Sequence, residues 1–477
     1  MSRGLAVVAG ILGASLAVTA CHDVSTTWDA WYYHLPFAAR LGGVVPASVF
    51  RFHATNQARL EGFPLLAELL QGLLWRITGR AESANLVALA ALGLFVAHLR
   101  QTFKVPWHLG ALGLLAVPLV QLHATSAYVD LFGNLAATAF LLGVGRLYFR
   151  GLGAEKPSLA FLLATAAAAL NSRFQLHPIV GLGMLVAAPR ALGPLVKGRD
   201  VRRLGAVSAS LPFVFFSPLK NLIVHKNPYY PMRLSILGVE LPGPEATYSH
   251  SPPYLASAPR PVRWVYSLLE IGIRPMRETR RWTIDQWMPS DSTGNRMGGF
   301  FGGYVVFNVA LLVFLAVKRP AARRPALGFL GLSLVASMLP QSHELRYYLF
   351  WMITLVALNL ALVAGSGGEE AKRERGGAWL GLACTAALGV VLWVTEAGYA
   401  YPSGSTFREL VSSKVSAGTM DEIGAGDRVC VEREPWSFLY SSTFHPEKGA
   451  YSVREVEPGD REPGVAPKGC GDYRWLP

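Results

Sequence analysis

The chain has 477 residues, of which 52% are hydrophobic and 16% are charged, and its mean hydropathy is +0.32. This balance is too apolar for an ordinary soluble enzyme of the same length, so the surplus apolar residues are expected to face lipid. The formal net charge of +13 does not indicate nucleic-acid binding, because Lys and Arg lie at the ends of apolar blocks and no reader motif accompanies them. We therefore expect no nucleic-acid partner.

Apolar blocks of about 17–20 residues predict an all-α integral membrane protein, since a helix of that length spans a hydrocarbon core of about 30 Å. Some blocks are shorter, which leaves their boundaries soft. The pattern indicates about eleven transmembrane helices. They cover residues 4–20, 85–99, 109–124, 131–147, 158–170, 178–188, 204–216, 304–317, 327–339, 347–363 and 378–394.

The basic residues between these blocks predict the orientation. With the N-terminus inside, the short gaps on the cytoplasmic side carry every Lys and Arg of the short gaps except Arg173 and Arg346, which lie in short gaps on the other side. We therefore predict a multi-pass protein of the cytoplasmic (inner) membrane with its N-terminus inside and its C-terminus outside. The cytoplasmic gaps contain Arg100, Lys104, Arg146, Arg150, Lys156, Arg190, Lys197, Arg199, Arg202, Arg203, Lys318, Arg319, Arg323, Arg324, Lys372, Arg373 and Arg375.

One further block, residues 62–79, is almost long enough to span the membrane. If it did, every later basic loop would face outward. We therefore predict a helix that lies in the outer interface or dips into it. Its polar residues Glu68, Gln71 and Arg76 fit that position.

Three long segments are then expected on the outer side. They are a first loop, 21–83, a second loop, 220–303, and a C-terminal segment, 397–477, which we predict to be a tail or small domain outside the membrane domain 1–396. Asp23 in the first loop is expected to be a solvent-exposed charge.

Two of the four cysteines, Cys430 and Cys470, lie in the C-terminal segment. If that segment is outside the cytoplasm, an oxidising compartment favours a disulfide between them. Two unrelated free thiols are an alternative of equal weight.

Polar residues inside spans or at their mouths are costly, which makes them functional candidates. A carboxylate beside aromatic rings suits a sugar acceptor, because the carboxylate takes a hydroxyl proton and the rings cover the apolar face of a pyranose. Cations at other helix mouths suit a lipid-linked phosphate as leaving group. The candidate catalytic residues are Asp29 and Asp130, and the candidate substrate-binding residues are Tyr33, His34, Arg173, Lys220, Lys226, Tyr230, Glu344 and Arg346.

Simpler interpretations of these residues remain open. Trp31, Tyr32 and Tyr33 can form an interfacial aromatic belt with no further role. Asp130 precedes an apolar run and can be the N-cap of the next helix. His34 fits an ordinary interface residue better than a metal ligand.

The order of these landmarks resembles the C-type glycosyltransferases, and in particular bacterial proteins grouped with the protein O-mannosyltransferases of glycosyltransferase family 39 and the aminoarabinose lipid A transferases. The likeness covers most of the membrane domain and leaves the C-terminal segment outside. It rests on Asp29 with Tyr33-His34-Leu35-Pro36, Gly62-Phe63-Pro64-Leu65, Asp130, Asn227-Pro228 with Pro231, and Glu344 with Tyr347 around Arg346.

The resemblance implies an inverting transfer of a sugar from a polyprenyl-phosphate donor to an acceptor on the outer face of the membrane. Asp29 matches the acidic residue that the family has at its active site. The Asp-Glu pair of the best-known members is absent, because Ala30 follows Asp29. Metal dependence and acceptor therefore do not carry over, and a divalent metal ion stays open. The sequence also leaves open the sugar, the lipid length, the oligomeric state and whether the acceptor is a glycolipid, glycan or protein.

Two other functions compete with this one. An O-antigen ligase or polymerase also has many helices and a large outer loop, and the second loop offers Arg274, Arg277, Arg280 and Arg281. A lipid or glycan transporter or flippase would place polar residues at mid-membrane on broken helices, often within inverted repeats. Here the polar residues lie at the outer mouths of the spans, and no repeat is evident.

Overall fold

A computed structural model of the chain describes residues 2–149, 152, 156–236, 238–246, 251–273, 276, 281–284, 297–365, 370–457 and 468–476. The described residues are mostly helical, with 68% helix and little strand. This agrees with the predicted helical class, whereas two small sheets were not predicted.

The helices of the described residues follow the predicted apolar blocks and add short helices in the loops. They are α1 (Ser2–His22), α2 (Leu35–Leu41), α3 (Ala54–Gly62), α4 (Leu66–Thr78), α5 (Leu86–Phe103), α6 (Trp107–Leu115), α7 (Pro118–Ala124), α8 (Asp130–Tyr148), α9 (Leu159–Leu170), α10 (His177–Lys197), α11 (Val201–Val214), α12 (Phe216–His225), α13 (Arg260–Leu269), α14 (Gly302–Lys318), α15 (Pro320–Met338), α16 (Leu349–Ala364), α17 (Glu370–Val394), α18 (Phe407–Lys414) and α19 (Ala417–Asp421).

Within the described part of the chain, six helical stretches are long and apolar enough to cross a membrane, and up to eight if two bent helix pairs each count as one span. Helices α9 and α14 are apolar but shorter. Length and composition thus support fewer spans than the eleven predicted, although each predicted block overlaps a helix. The six stretches are Ser2–His22, Ala81–Phe103, Asp130–Tyr148, Phe174–Lys197, Leu345–Ala364 and Gly376–Val394.

The two bent pairs are α6 with α7, at 102°, and α11 with α12, at 63°. The first break falls inside the predicted block 109–124, so the prediction of a single helix there is wrong, whereas the second break lies at the end of the block 204–216. Both breaks have a proline in the first turn of the second helix, Pro118 in α7 and Pro218 in α12. Proline has no N–H to donate and its ring clashes with the preceding turn, so the helix cannot continue straight through it.

Helices α2 and α4 approach each other closely through glycine. A Cβ atom on Gly72 would lie 2.0 Å from the carbonyl oxygen of Ala38, and one on Gly42 would lie 2.3 Å from that of Gly72. Helix α4 has 13 residues, which is too short to span a membrane. Its Glu68 and Gln71 do not face an interface as expected, because they are 2% and 1% exposed.

The C-terminal segment is not separate from the rest of the protein. It shares an apolar core with the first loop, in which Trp31 and Phe438 are both buried. Cys430 and Cys470 form a disulfide, as the first of the two alternatives predicted. One parallel sheet joins the segment to the first loop, in the spatial order β1 (Phe50–Arg51), β6 (Ser452–Val456), β5 (Arg428–Glu432) and β7 (Arg474–Trp475).

Two buried carboxylates also fasten the C-terminal segment to the first loop. Asp23 accepts hydrogen bonds from the backbone N–H groups of Ser403 and Gly404, so the expectation of a solvent-exposed charge is wrong. Glu455 accepts one from the backbone N–H of His53 at 3.0 Å. Burial raises the pKa of Glu455, and these bonds fix the segment against the loop that carries Asp29.

The second loop contains a small sheet and a buried carboxylate. The carboxylate of Glu270 accepts hydrogen bonds from Trp282 Nε1 at 2.7 Å and from Arg281 Nη2 at 2.9 Å. The other loop arginines named above, Arg274, Arg277 and Arg280, lie outside the described residues. The sheet consists of β2 (Met232–Ile236), β3 (Val239–Leu241) and β4 (Glu245–Ala246).

Candidate active site

The candidate residues collect where several helices begin. Asp130 is the first residue of α8, Arg173 precedes the short turn that leads into α10, and Arg346 lies in the turn that leads into α16. A helix N-terminus carries a partial positive charge, and three such termini lie beside the same group of residues. The first loop supplies the remaining wall through a π-helical turn, Ala30–His34, that directly follows Asp29.

Asp29 and Arg346 form the outer ion pair of the site, with Asp29 Oδ2 3.0 Å from Arg346 Nη1. The Asp29 side chain is 18% exposed and that of Arg346 is 1% exposed. Arg346 Nη2 donates to the hydroxyl of Tyr347 at 2.8 Å, and Glu344 is fully buried just before this turn. The guanidinium is therefore fixed in position, while the carboxylate reaches the solvent edge.

Asp130 and Arg173 form the inner ion pair, with Asp130 Oδ2 2.5 Å from Arg173 Nη2. The Asp130 side chain is 0% exposed, and the N-cap of α8 is Val129, with Asp130 as the first residue of the helix. The interpretation of Asp130 as an N-cap is therefore wrong. Its carboxylate holds the guanidinium of Arg173 instead, and it lies deeper in the protein than Asp29.

Tyr347 joins the two ion pairs. The guanidinium carbon of Arg346 lies 4.8 Å from the centre of its ring, and that of Arg173 lies 5.4 Å away. A cation near an aromatic face is attracted by the ring quadrupole, so one tyrosine positions both guanidinium groups. Tyr128 adds a second ring, whose centre is 5.7 Å from the Arg346 guanidinium carbon.

His34 lies behind the outer ion pair and contacts helix α4. Its Nδ1 is 2.9 Å from Oε1 of Glu68, and both side chains are buried. Burial raises the pKa of Glu68 to about 8. Burial and the guanidinium groups of Arg173 and Arg346 lower the pKa of His34 well below its ordinary value. Both pKa shifts favour the neutral forms of the pair, in which the carboxylic acid of Glu68 can donate to the imidazole.

Sequence reasoning missed His123, although it lies in the site. It is fully buried near the end of α7, and the centre of its ring is 5.5 Å from that of Tyr128. Neither ring nitrogen has a hydrogen-bond partner among the described residues. The available signal was a histidine inside the apolar block 109–124, which the cost of polar groups in spans makes noteworthy.

Three predicted substrate-binding residues belong to the rim of the fold. Lys220 Nζ donates to the backbone carbonyl of Glu61, and a Cβ atom on Gly62 would meet the carbonyl of Tyr230 at 2.3 Å. Lys226 is the C-cap of α12 and donates to a carbonyl of that helix. Lys220 and Tyr230 therefore contact the end of α3, and Lys226 contacts its own helix α12.

The aromatic residues after Asp29 do not form a simple belt. Trp31 is 1% exposed and Tyr33 is 8% exposed, so the belt interpretation is wrong for these two. Trp31 stacks on Phe407 of the C-terminal segment, with ring centres 5.6 Å apart. Trp28, next to Asp29, is 57% exposed.

Within the described part of the chain, no group of three or more His, Cys, Asp and Glu side chains is placed to hold a metal ion. Comparisons with protein families, with curated proteins and with solved structures give no match to this chain. The described residues define a helical protein in which six to eight helical stretches are long and apolar enough to cross a membrane, with two ion pairs at the N-termini of three helices.

Proposed function

We propose that the protein is an inverting glycosyltransferase that moves a sugar from a polyprenyl-phosphate donor to an acceptor on the outer face of the cytoplasmic membrane. One observation carries the proposal. Two buried guanidinium groups, Arg173 and Arg346, share the ring of Tyr347 beside the N-termini of α8, α10 and α16. Asp29, a carboxylate at the solvent edge, supplies the second group that such a transfer requires, a base for the acceptor hydroxyl beside the cations for the phosphate.

The guanidinium groups and helix termini suit the phosphate of the donor. Arginine donates paired hydrogen bonds to phosphate oxygens, and helix N-termini favour anions through their N–H groups and dipoles. These groups stabilise the charge that develops on the phosphate as the sugar leaves. When the donor phosphate binds the guanidinium of Arg346, the ion pair between Arg346 and Asp29 breaks and the Asp29 carboxylate is released.

The released carboxylate then acts on the acceptor. An acceptor hydroxyl attacks the anomeric carbon while the bond from that carbon to the phosphate oxygen breaks. The hydroxyl proton goes to Asp29, and polyprenyl phosphate leaves with the bonding electron pair. One displacement inverts the anomeric carbon, and Asp29 returns its proton to water. Asp130 acts indirectly, because it holds Arg173 in place.

The proposed membrane arrangement has eleven spans, with the N-terminus inside and the C-terminus outside. Helices α9, α14 and α15 supply the spans beyond those that length and composition support. In this arrangement His123 lies near the outer end of α7, where its ring contacts that of Tyr128, and not at the break between α6 and α7, where a mid-membrane transport site would be expected. A periplasm-active reporter fused after residue 477 should be active. Activity of a cytoplasm-only reporter at that position would contradict the arrangement.

Donor cleavage tests the function. Purified protein in nanodiscs is given a panel of polyprenyl-monophosphate sugars, polyprenyl-diphosphate sugars and nucleotide sugars. We expect release of polyprenyl phosphate from a monophosphate donor. Arg346→Lys should lower that rate about 10²–10³-fold, because lysine cannot replace the paired phosphate contact.

Arg319→Lys is the matched control. Arg319 donates to the carbonyl of Leu362 at the other end of α16, and this variant should keep the wild-type rate. Cleavage of the diphosphate donor alone would indicate the ligase alternative. Movement of an intact donor between leaflets would indicate a transporter.

A further inference from the structure

Two aromatic rings beside Asp29 are open to solvent. Trp28 is 57% exposed and Tyr32 is partly exposed. Their ring centres are 6.2 Å apart and their planes differ by 31°. Trp31 and Tyr33 in the turn Ala30–His34 are buried. Tyr32 of that turn and Trp28, which precedes it, therefore lie together at the edge of the site.

The ring of Tyr32 is held by two arginines from distant parts of the chain. The guanidinium carbon of Arg433, from the C-terminal segment, lies 5.0 Å from the ring centre, and that of Arg59, from the first loop, lies 5.8 Å away. Arg59 is itself fixed by two hydrogen bonds of 2.8 Å to Glu245 of the second loop. All three outer segments therefore converge on this tyrosine.

Two donor nitrogens of Arg433 have no hydrogen-bond partner among the described residues. Its Nη2 donates to Glu457 at 2.6 Å, but its Nε and Nη1 are buried and have no hydrogen-bond partner in the described part of the chain. A guanidinium has five N–H donors, and buried polar atoms are normally partnered. Glu457 is 46% exposed, and an exposed ion pair contributes little, so a ligand can compete for this arginine.

We propose that Trp28, Tyr32 and Arg433 form the acceptor subsite of the enzyme and that the acceptor is a saccharide. The inference rests on the proposed function and names its acceptor class. A pyranose has an apolar C–H face that packs on aromatic rings and a rim of hydroxyl oxygens that accept from a guanidinium. The charged pairs around Tyr32 do not suit an acyl chain.

The position of the subsite agrees with its role. Trp28 precedes Asp29 directly in the chain, and the Asp29 side chain reaches solvent. A sugar ring seated on Trp28 and Tyr32 therefore has a hydroxyl near the carboxylate that takes its proton. The C-terminal segment supplies Arg433 from the residue after β5, so the segment contributes directly to acceptor binding.

Saccharide binding without donor provides the test. Full-length protein in nanodiscs is applied to an array of pyranose-containing oligosaccharides, some free and some linked to lipid, and to a peptide array. We expect binding to a saccharide class. Trp28→Ala and Arg433→Gln should each weaken it about tenfold, the scale of one aromatic contact or one hydrogen bond to a charged group.

Arg454→Gln is the matched control. Arg454 lies in β6, the neighbour of β5, and its guanidinium carbon is 4.3 Å from the centre of the Tyr473 ring. This variant should leave saccharide binding unchanged. Trp28→Phe should restore most of the binding lost in Trp28→Ala. Absence of saccharide binding, binding of peptides instead, or equal binding by Trp28→Ala overturns the inference. Saccharide binding by a protein that cleaves no donor would refute the proposed function and leave the subsite standing.

Discussion

Replacing Asp29 or Asp130 by Asn should have different consequences, although both residues are aspartates that pair with arginine. Asp29 is 18% exposed at the solvent edge, and an asparagine side chain keeps its shape and can still accept a hydrogen bond from Arg346. The amide that replaces the carboxylate would not take a proton from the acceptor. Loss of a general base typically costs about 10²–10⁴-fold in rate. Asp29→Asn should therefore fold, retain donor binding and transfer sugar at least about a hundredfold more slowly.

Asp130→Asn should act on stability instead. Both members of this pair are buried, with the side chains 0% and 10% exposed. Removing one charge leaves the guanidinium of Arg173 without its counter-ion, and breaking a buried pair in this way costs about 3–5 kcal/mol. The unfolding temperature should fall, and any remaining activity should fall with it because Arg173 moves relative to Tyr347.

The assay measures donor cleavage and thermal unfolding on the same preparations in one detergent. Asp421→Asn is the control, because Asp421 pairs with Lys448 and is 81% exposed, so both readouts should stay at wild-type values. A stable, inactive Asp130→Asn beside a fully active Asp29→Asn would refute the reasoning and make Asp130 the base. Wild-type activity in both variants would remove the glycosyltransferase proposal.

Three further predictions concern the fold around the site. Gly72→Ala should prevent the close packing of α2 on α4, because its Cβ would lie 2.0 Å from the carbonyl oxygen of Ala38. We expect aggregated protein in size-exclusion chromatography, and a monodisperse variant with unchanged unfolding temperature would contradict this. The contribution of Glu68 to thermal stability should be lost between about pH 4.5 and 8, because the pKa of Glu68 is raised to about 8 from 4.5. The folded protein then holds a proton that the unfolded chain has lost, so unfolding becomes easier as the pH rises. Glu68→Gln should flatten that decline, and an equal slope in this variant would exclude Glu68 as its source. Mass spectrometry without reductant should find Cys430 and Cys470 linked, and Cys430→Ser should cost about 2–5 kcal/mol. Two free thiols in that measurement would contradict the pairing.

Apolar periodicity located the helices but not their breaks. Each of the eleven predicted blocks overlaps a helix, because burial or lipid contact of apolar side chains is a local property of the sequence. The bends at Pro118 and Pro218 carried a readable signal, since proline interrupts the helical hydrogen bonds. What the sequence could not give is the angle of each bend, which depends on the helices packed against it.

Part of the candidate site could also be predicted from local features of the sequence. Asp29, Asp130, Arg173 and Arg346 are conspicuous as charges near the ends of apolar blocks, and the structure forms two ion pairs from them. Which carboxylate pairs with which arginine depends on contacts between distant elements. His123 carried only a weak signal. The strand Phe50–Arg51 carried none, because two residues show no period.

The parallel sheet that joins the first loop to the C-terminal segment has a consequence for how the protein matures. His53 and Glu455 are hydrogen-bonded although they lie 402 residues apart in the chain, so the partner of β1 is synthesised long after β1 itself. A nascent chain that has inserted its apolar helices still lacks the strand beside Phe50, the ring that stacks on Trp31 and the arginine that holds Tyr32. On the proposed function, a prematurely terminated polypeptide would reach the bilayer without its acceptor subsite. Translation and translocation of the C-terminal segment would then be what switches transfer on.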